Sequence, residues 1–208
     1  MKTWLFKPFE RIAGGAALAA GLVIMSVTAL LAWRAGLHTD GVLDLHFGPA
    51  VPVWQLLMQG LINWLSLALL MLLMGRLLSR TRFRTIDLLG TQALARWPML
   101  IGVLWLSIPG IAGQIERRTA SLLEAVPEDP SQVIAPAEYL LEAMWLTVLS
   151  LPALAVLVWM IWLMYHGYAL VTNQRGQRAV FSFIGALVAA EIISKLLIWL
   201  LLRLGGHL

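Results

Sequence analysis

Long apolar stretches alternate with short polar segments along the whole chain. A helix that crosses the hydrocarbon core of a bilayer needs about 17–25 mostly apolar residues, because every backbone N–H and C=O group there must pair within the segment. Five stretches meet this requirement, at residues 12–33, 53–75, 97–113, 139–165 and 180–202. The pattern predicts an all-α polytopic membrane protein: a bundle of five transmembrane helices with short loops, in which residues 1–208 form a single domain.

The composition agrees with this prediction. Of the 208 residues, 60% are hydrophobic and 12% are charged, whereas soluble domains have about 45–50% apolar and about 25% charged residues. The chain has no cysteine, which excludes disulfides, thiolate metal ligands and cysteine nucleophiles. Its sequence contains neither a phosphate-binding glycine loop nor a hydrolase motif, so neither enzymatic activity nor a cofactor is predicted.

The positive charges are sorted between the two sides of the predicted spans. Ten Lys and Arg residues lie on one side, four lie on the other, and Lys195 lies inside the fifth span. Because cytoplasmic loops carry the excess of Lys and Arg, this bias predicts a bacterial cytoplasmic (inner) membrane protein with its N-terminus inside and its C-terminus outside. The formal net charge of +4 is explained by topology, and no nucleic-acid partner is predicted. The ten residues assigned to the inside are Lys2, Lys7, Arg11, Arg76, Arg80, Arg82, Arg84, Arg96, Arg175 and Arg178.

The segment 82–96 is too polar to cross the membrane and has an amphipathic pattern. Ile86, Leu89 and Ala93 fall on one helical face, and most of its charges lie away from that face. We expect it to lie on anionic lipid headgroups on the cytoplasmic side. The alternative is a docking surface for a cytoplasmic protein. The predicted cytoplasmic basic surface consists of Arg76, Arg80, Arg82, Arg84 and Arg96.

Two charged residues, Glu191 and Lys195, lie inside the fifth span. They are four residues apart and therefore on one helix face. An ionisable group near the middle of a bilayer costs about 2.5–3.5 kcal/mol on insertion scales, so the pair requires an explanation. One interpretation is a structural clasp that fixes the register of the bundle. The other is a proton or ion pathway in which Glu191 changes its charge.

The second span carries a matching polar stripe. Gln55, Gln59 and Asn63 recur at steps of four, at the same depth from the outside as the charged pair. The second and fifth spans are therefore predicted to face each other, with Asn63 near Glu191 and Gln59 near Lys195. Glu142, one turn into the fourth span, is predicted to join this cluster near its outer rim.

The first outer loop contains candidate metal ligands. Imidazole nitrogens and carboxylate oxygens of this kind bind Zn²⁺ and similar ions. Their spacing matches no specific motif, and the surrounding glycines are typical of a turn-rich loop, so no metal site is predicted. The four candidates are His38, Asp40, Asp44 and His46.

Three segments carry a resemblance to a known family. They are residues 7–12 (KPFERI), residues 89–98 (LGTQALARWP), and a closing run from YHGY at 165–168 through Asn173 and Gly176 to EIISK at 191–195. On these motifs the chain resembles the bacterial members of the Yip1 family. The resemblance implies a small five-span membrane protein. Eukaryotic members are associated with Rab GTPases and vesicle traffic, whereas for bacterial members the family implies no settled activity.

Taken together, the sequence predicts a non-enzymatic inner-membrane protein of Yip1-like type. It organises the membrane or binds partners through the basic inner surface and the turn at 173–178. The expected partners are the anionic bilayer surface and a membrane or cytoplasmic protein, and an oligomer is compatible with the sequence. The alternative is a small transporter or an ion or proton channel that uses Glu191, Lys195 and the polar stripe.

Overall fold

The structure is a computed structural model that describes residues 5–124 and 137–204. This part of the chain is helical apart from one short hairpin, in which β1 (Leu37–His38) pairs antiparallel with β2 (His46–Phe47). A 3-10 turn at Pro8–Glu10 precedes the first helix. The helices are α1 (Gly14–Ala35), α2 (Val53–Leu78), α3 (Thr85–Leu94), α4 (Trp97–Leu106), α5 (Pro109–Glu124), α6 (Ala137–Thr172) and α7 (Gly176–Leu204).

Four of the helices, α1, α2, α6 and α7, are long and apolar enough to cross a membrane. They cover the predicted spans 12–33, 53–75, 139–165 and 180–202 to within a few residues at most boundaries. A fifth span is counted if the bent run from α3 to α5 is taken as one crossing. The all-helical fold class is therefore confirmed, and the described part of the chain has four or five helical runs that are long and apolar enough to cross a membrane.

The third predicted span differs from the structure. A single helix over residues 97–113 was expected, but α4 ends at Leu106 and the chain bends by 79° before α5 begins at Pro109. Proline has no N–H, and its ring clashes with the preceding turn, so a helix is readily interrupted there. The apolar helical run extends in the other direction instead and covers residues 85–106.

That extension places α3 inside the bundle, against α1, and corrects the prediction for the segment 82–96. A Cβ atom added at Gly21 of α1 would lie 2.5 Å from the backbone of Ala93, and one added at Gly90 would lie 2.5 Å from the carbonyl oxygen of Gly14. Gln92 is fully buried and donates a hydrogen bond to the carbonyl of Met164. The backbones approach this closely because the contacting residues are small, and the helix is buried on both faces.

Small residues also line the inner faces of α1 and α7. Ala17 and Gly21 are buried in α1. Ala186, Ala190 and Ser194 are buried in α7. These faces leave room for the polar side chains and the hairpin that occupy one half of the bundle.

Candidate functional site

The hairpin that follows α1 folds back into the bundle. Gly36 ends α1 in the left-handed conformation, with a φ of 66° that glycine adopts without strain. The tip of the hairpin then reaches Asn63, whose Nδ2 donates to the carbonyl of Thr39 over 2.7 Å. Asn63 lies ten residues beyond the start of α2, which is about 15 Å along the helix at 1.5 Å per residue. The loop between α1 and α2 therefore reaches into the helical bundle.

The polar stripe of α2 holds one side of this hairpin. Gln59 is fully buried; it accepts a hydrogen bond from the backbone N–H of Thr39 (3.2 Å) and donates to Nδ1 of His38 (3.3 Å). Nε2 of His38 then bonds to the carbonyl of Pro49 (2.8 Å), so the two hydrogen bonds together orient the imidazole ring. Gln55 is also fully buried, and its amide has no hydrogen-bond partner among residues 5–124 and 137–204.

The charged pair of α7 holds the other side. Glu191 accepts a hydrogen bond from the backbone N–H of Leu43 at 3.0 Å and one from Lys195 at 3.3 Å. Lys195 also pairs with Asp44 of the hairpin at 3.1 Å. The backbone of Gly41 lies directly against the Glu191 carboxylate, so a side chain at position 41 would displace that carboxylate from its present position. One lysine thus joins a carboxylate of the helix to a carboxylate of the loop.

His46 completes the hairpin's own network. Its ring nitrogens lie 3.4 Å from Asp40 and 3.3 Å from Asp44. Burial by itself raises the pKa of Asp44, but the hydrogen bonds with Lys195 and His46 and their positive charges lower that pKa on balance. The His38 ring stacks on that of His46, with ring centres 6.0 Å apart, but its nitrogens bond to Gln59 and Pro49. In the part of the chain that the structure describes, no three such side chains are arranged to hold a metal ion.

These contacts refine the predicted constellation. The helices α2 and α7 pack against each other, as expected. The polar stripe, however, bonds to the hairpin: Gln59 and Asn63 contact residues 38–39, not Lys195 and Glu191. The sequence placed the loop residues and the intramembrane residues in two separate groups, and the structure joins them into one cluster. Gly41, which lies against Glu191 in the structure, was the available signal in the sequence. Nothing in the sequence, however, paired position 41 with position 191.

Glu142 does not belong to this cluster. It pairs with Arg118 of α5, and the Arg118 guanidinium also lies 5.5 Å from the ring centre of Trp145. The predicted contribution of Glu142 to the outer rim of the Glu191 cluster is therefore wrong. Its partner comes from α5 because the bend before Pro109 turns that helix toward α6.

The prediction that Arg96 belongs to the basic surface is also wrong. It sits at the break between α3 and α4, is 7% exposed, and shares a cavity with Met25 near the middle of α1. Among the described residues its guanidinium has no hydrogen bond, and Nε and Nη2 are both buried. The sequence gave no sign of this burial, because Arg96 follows other arginines in what reads as a surface segment. A buried, unpaired cation inside a membrane bundle is a functional candidate.

The other predicted basic residues are exposed at the opposite end of the bundle. Ser79 donates to the carbonyl of Thr172 at 2.7 Å, and the side chains of Phe83 and Thr172 both lie against Gly75. The connection between α2 and α3 is thereby fixed beside the turn between α6 and α7, which adds two more exposed arginines. We call this set the arginine surface: Arg76, Arg80, Arg82, Arg84, Arg175 and Arg178.

Comparison with known proteins identifies no relative of this chain. No protein-family model, curated protein or solved structure matches the chain. The Yip1 resemblance therefore stays a prediction based on the motifs that carry it.

The arrangement provides two chemically distinct regions. The hairpin cluster, formed by residues 38–46 with the polar side chains of α2 and α7, is a network of hydrogen bonds and ion pairs suited to holding the bundle together. The arginine surface presents guanidinium groups to the surroundings, where they can bind phosphate or carboxylate oxygens.

Proposed function

We propose that this protein is a non-enzymatic membrane protein that binds anionic lipid headgroups through the arginine surface and thereby organises the cytoplasmic face of a bacterial inner membrane. The observation that carries the proposal is the exposure of all six arginines at one end of the bundle. Each basic residue near an anionic leaflet contributes about 1 kcal/mol of attraction.

The geometry of the connection between α2 and α3 supports this role. Arg76 donates to Thr85 at 3.0 Å and lies 4.7 Å from the ring centre of Phe83, which is itself anchored in the bundle. Arg80, Arg82 and Arg84 are therefore presented from a fixed turn. A surface held in place loses less conformational entropy on binding than a mobile tail does.

The proposal includes five crossings, with the N-terminus inside and the C-terminus outside. The apolar run of residues 85–106 lies beside α1 for much of its length, which supports a third crossing there. Five crossings put the two chain ends on opposite sides, and the arginine surface falls on the side that the excess of basic residues assigns to the cytoplasm.

The Yip1-like assignment is part of the same proposal. Two of the motifs that carry the resemblance contribute to the buried polar half of the bundle: residues 89–98 contain Arg96, and residues 191–195 contain Glu191 and Lys195. Transport through Glu191 has less support, because both of its carboxylate oxygens are already bonded, to Leu43 and to Lys195.

A comparison of two triple variants tests lipid binding. In one, Arg80, Arg82 and Arg84 are changed to Gln; in the matched control, the exposed Arg34, Arg117 and Arg203 are changed to Gln. Titration of the purified protein with phosphatidylglycerol and with phosphatidylcholine should show a salt-sensitive preference for phosphatidylglycerol, because exposed charges are screened by salt. The first variant should lose that preference and the control should keep it. Equal losses in the two variants would contradict the proposal.

Fusions at two sites test the topology. A phosphatase fused after Leu208 should be active, and a fluorescent protein inserted next to Arg80 should be fluorescent, because the first works outside the cytoplasm and the second inside. An inactive phosphatase at the C-terminus would argue for four crossings.

A further inference from the structure

A small cavity lies between α1, α2, α4 and the hairpin. Its volume is about 40 Å³, which is room for roughly three water molecules. Most of its wall is apolar, from residues such as Met25, Ala29, Leu56 and Met99. Its polar lining includes Arg96 and Asn63. The cavity is distinct from the arginine surface and plays no part in the lipid binding proposed above.

Arg96 is the feature of this cavity that requires a partner. More than nine-tenths of the residue is buried, and within residues 5–124 and 137–204 its Nε and Nη2 make no hydrogen bond. These two nitrogens lie on the same edge of the guanidinium, where two parallel N–H bonds match the two oxygens of a carboxylate. Glu191 acts on Arg96 only through space, since its carboxylate oxygens bond to Leu43 and Lys195. A buried charge without hydrogen bonds is costly, so an anion from outside the chain would stabilise it.

An apolar groove between α1 and α2 adjoins the cavity. It has a volume of about 230 Å³ and is lined by Leu22, Met25, Ser26, Leu57, Gly60 and Leu61. Met25 and Gly60 line both the groove and the cavity. At Gly60 an added Cβ would meet nothing within 4 Å, so the missing side chain is part of what opens the groove.

We propose that Arg96 binds the carboxylate of a long-chain fatty acid whose alkyl chain lies in the groove between α1 and α2. The cavity is large enough for a terminal carboxylate, but a phosphodiester would have to bring substituents on two of its oxygens into the same small space. The apolar walls disfavour a free, strongly hydrated anion, because such an anion is solvated less well in the cavity than in water. An alkyl chain supplied from the bilayer matches the groove and carries its carboxylate to Arg96.

The test measures ligand binding to the full chain in detergent. Hexadecanoate should bind and raise the thermal unfolding temperature, whereas hexadecanol, with the same chain and no charge, and acetate, with the same carboxylate and no chain, should do neither. Arg96→Gln should weaken hexadecanoate binding by roughly tenfold or more, the value of a charge-assisted hydrogen bond.

A second variant keeps the test independent of any loss of folding in Arg96→Gln. Gly60→Leu should fill the groove and weaken hexadecanoate binding while Arg96 is intact. The matched control is Gly185→Leu, since Gly185 is exposed on α7 and also has nothing within 4 Å of an added Cβ. Hexadecanol binding as tightly as hexadecanoate would overturn the role of Arg96. If acetate bound as tightly as hexadecanoate, the cavity would be a site for free anions. If Gly60→Leu and Gly185→Leu bound hexadecanoate equally well, the alkyl chain would not lie in the groove. Either result refutes the proposal.

Discussion

The two ends of the bundle use charge in opposite ways. At the hairpin cluster, Glu191 pairs with its neighbour Lys195 and also accepts a hydrogen bond from Leu43, which is 148 residues distant in the sequence. At the arginine surface the charged side chains come from two short turns and face outward. A buried charge depends on partners supplied by the tertiary fold, whereas an exposed one depends only on its position along the chain. The same substitutions should therefore have large effects at one end and small effects at the other.

The largest effect is expected at the contact between the hairpin and α7. Gly41→Leu should destabilise the fold by about 3 kcal/mol, because the new side chain overlaps the Glu191 carboxylate and displaces the hairpin from its bonds. The control is Gly15→Leu at an exposed position of α1 with open space around it. Thermal unfolding in detergent measures both, and equal stability of the two variants would mean that the hairpin does not lie against Glu191.

A substitution in the polar stripe sharpens the comparison directly. Gln59→Leu should cost about 2 kcal/mol, because it leaves the backbone N–H of Thr39 and a ring nitrogen of His38 without their partner. Gln177→Leu makes the same chemical change at an exposed position beside the arginine surface and should change the stability by less than about 0.5 kcal/mol. If Gln177→Leu lowered the free energy of unfolding as much as Gln59→Leu does, the contrast between the two ends of the bundle would be wrong.

Removing the lysine that joins the two carboxylates should have an intermediate effect. Lys195→Met should cost about 1–2 kcal/mol, less than the roughly 3–5 kcal/mol of a fully buried pair, because the Lys195 side chain is 50% exposed. Adding Glu191→Gln should recover part of the loss. Adding Asp44→Asn as well should recover more, because Lys195 neutralises both carboxylates. Strictly additive losses in unfolding experiments would rule out the three-residue link.

Acid should weaken the hairpin end selectively. The pKa of Asp44 lies below its ordinary value of 3.8, so the unfolded chain binds that proton more readily than the folded one. The contribution of Asp44 to stability is thus fully present above about pH 3.8 and is lost as the pH falls through its folded pKa. Asp44→Asn should flatten this part of the acid unfolding curve, and a curve identical to that of the unmodified protein would contradict the assignment.

The smallest effect on stability is expected at the arginine surface. Changing Arg80, Arg82 and Arg84 to Gln should alter the free energy of unfolding by less than about 0.5 kcal/mol per residue, as is usual for exposed positions. The same variant is expected to lose its preference for anionic lipid, so function and stability separate at this end. A large loss of stability would show that these arginines also hold the bundle together.

The long helices and the exposed basic turns were predictable because both depend on local sequence. Apolar length indicates a crossing helix, and the arginines at 76–84 and 175–178 lie at or next to helix ends. The position of Arg96 was not predictable, because the close contact of Gly21 with Ala93 buries a segment whose pattern is typical of a surface helix.

The hairpin was not predictable either. The hydrogen bond between Asn63 and Thr39 spans 24 residues, and the turn at Gly36 does not by itself determine on which side of the bundle the loop will lie. The polar residues of the site could be selected from the sequence, but their partners could not. For a buried polar group, the identity of the partner is a property of the fold.

The bond between Leu43 and Glu191 also constrains the order in which the protein assembles. The hairpin is synthesised directly after the first helix, but the carboxylate that accepts from it belongs to the last helix. During synthesis from the N-terminus, the backbone N–H group of Leu43 cannot bond to Glu191 until α7 has been made. The bond that α7 supplies is therefore the last of these contacts to form, whereas the bonds of the hairpin with Gln59 and Asn63 of α2 can form before α7 is made.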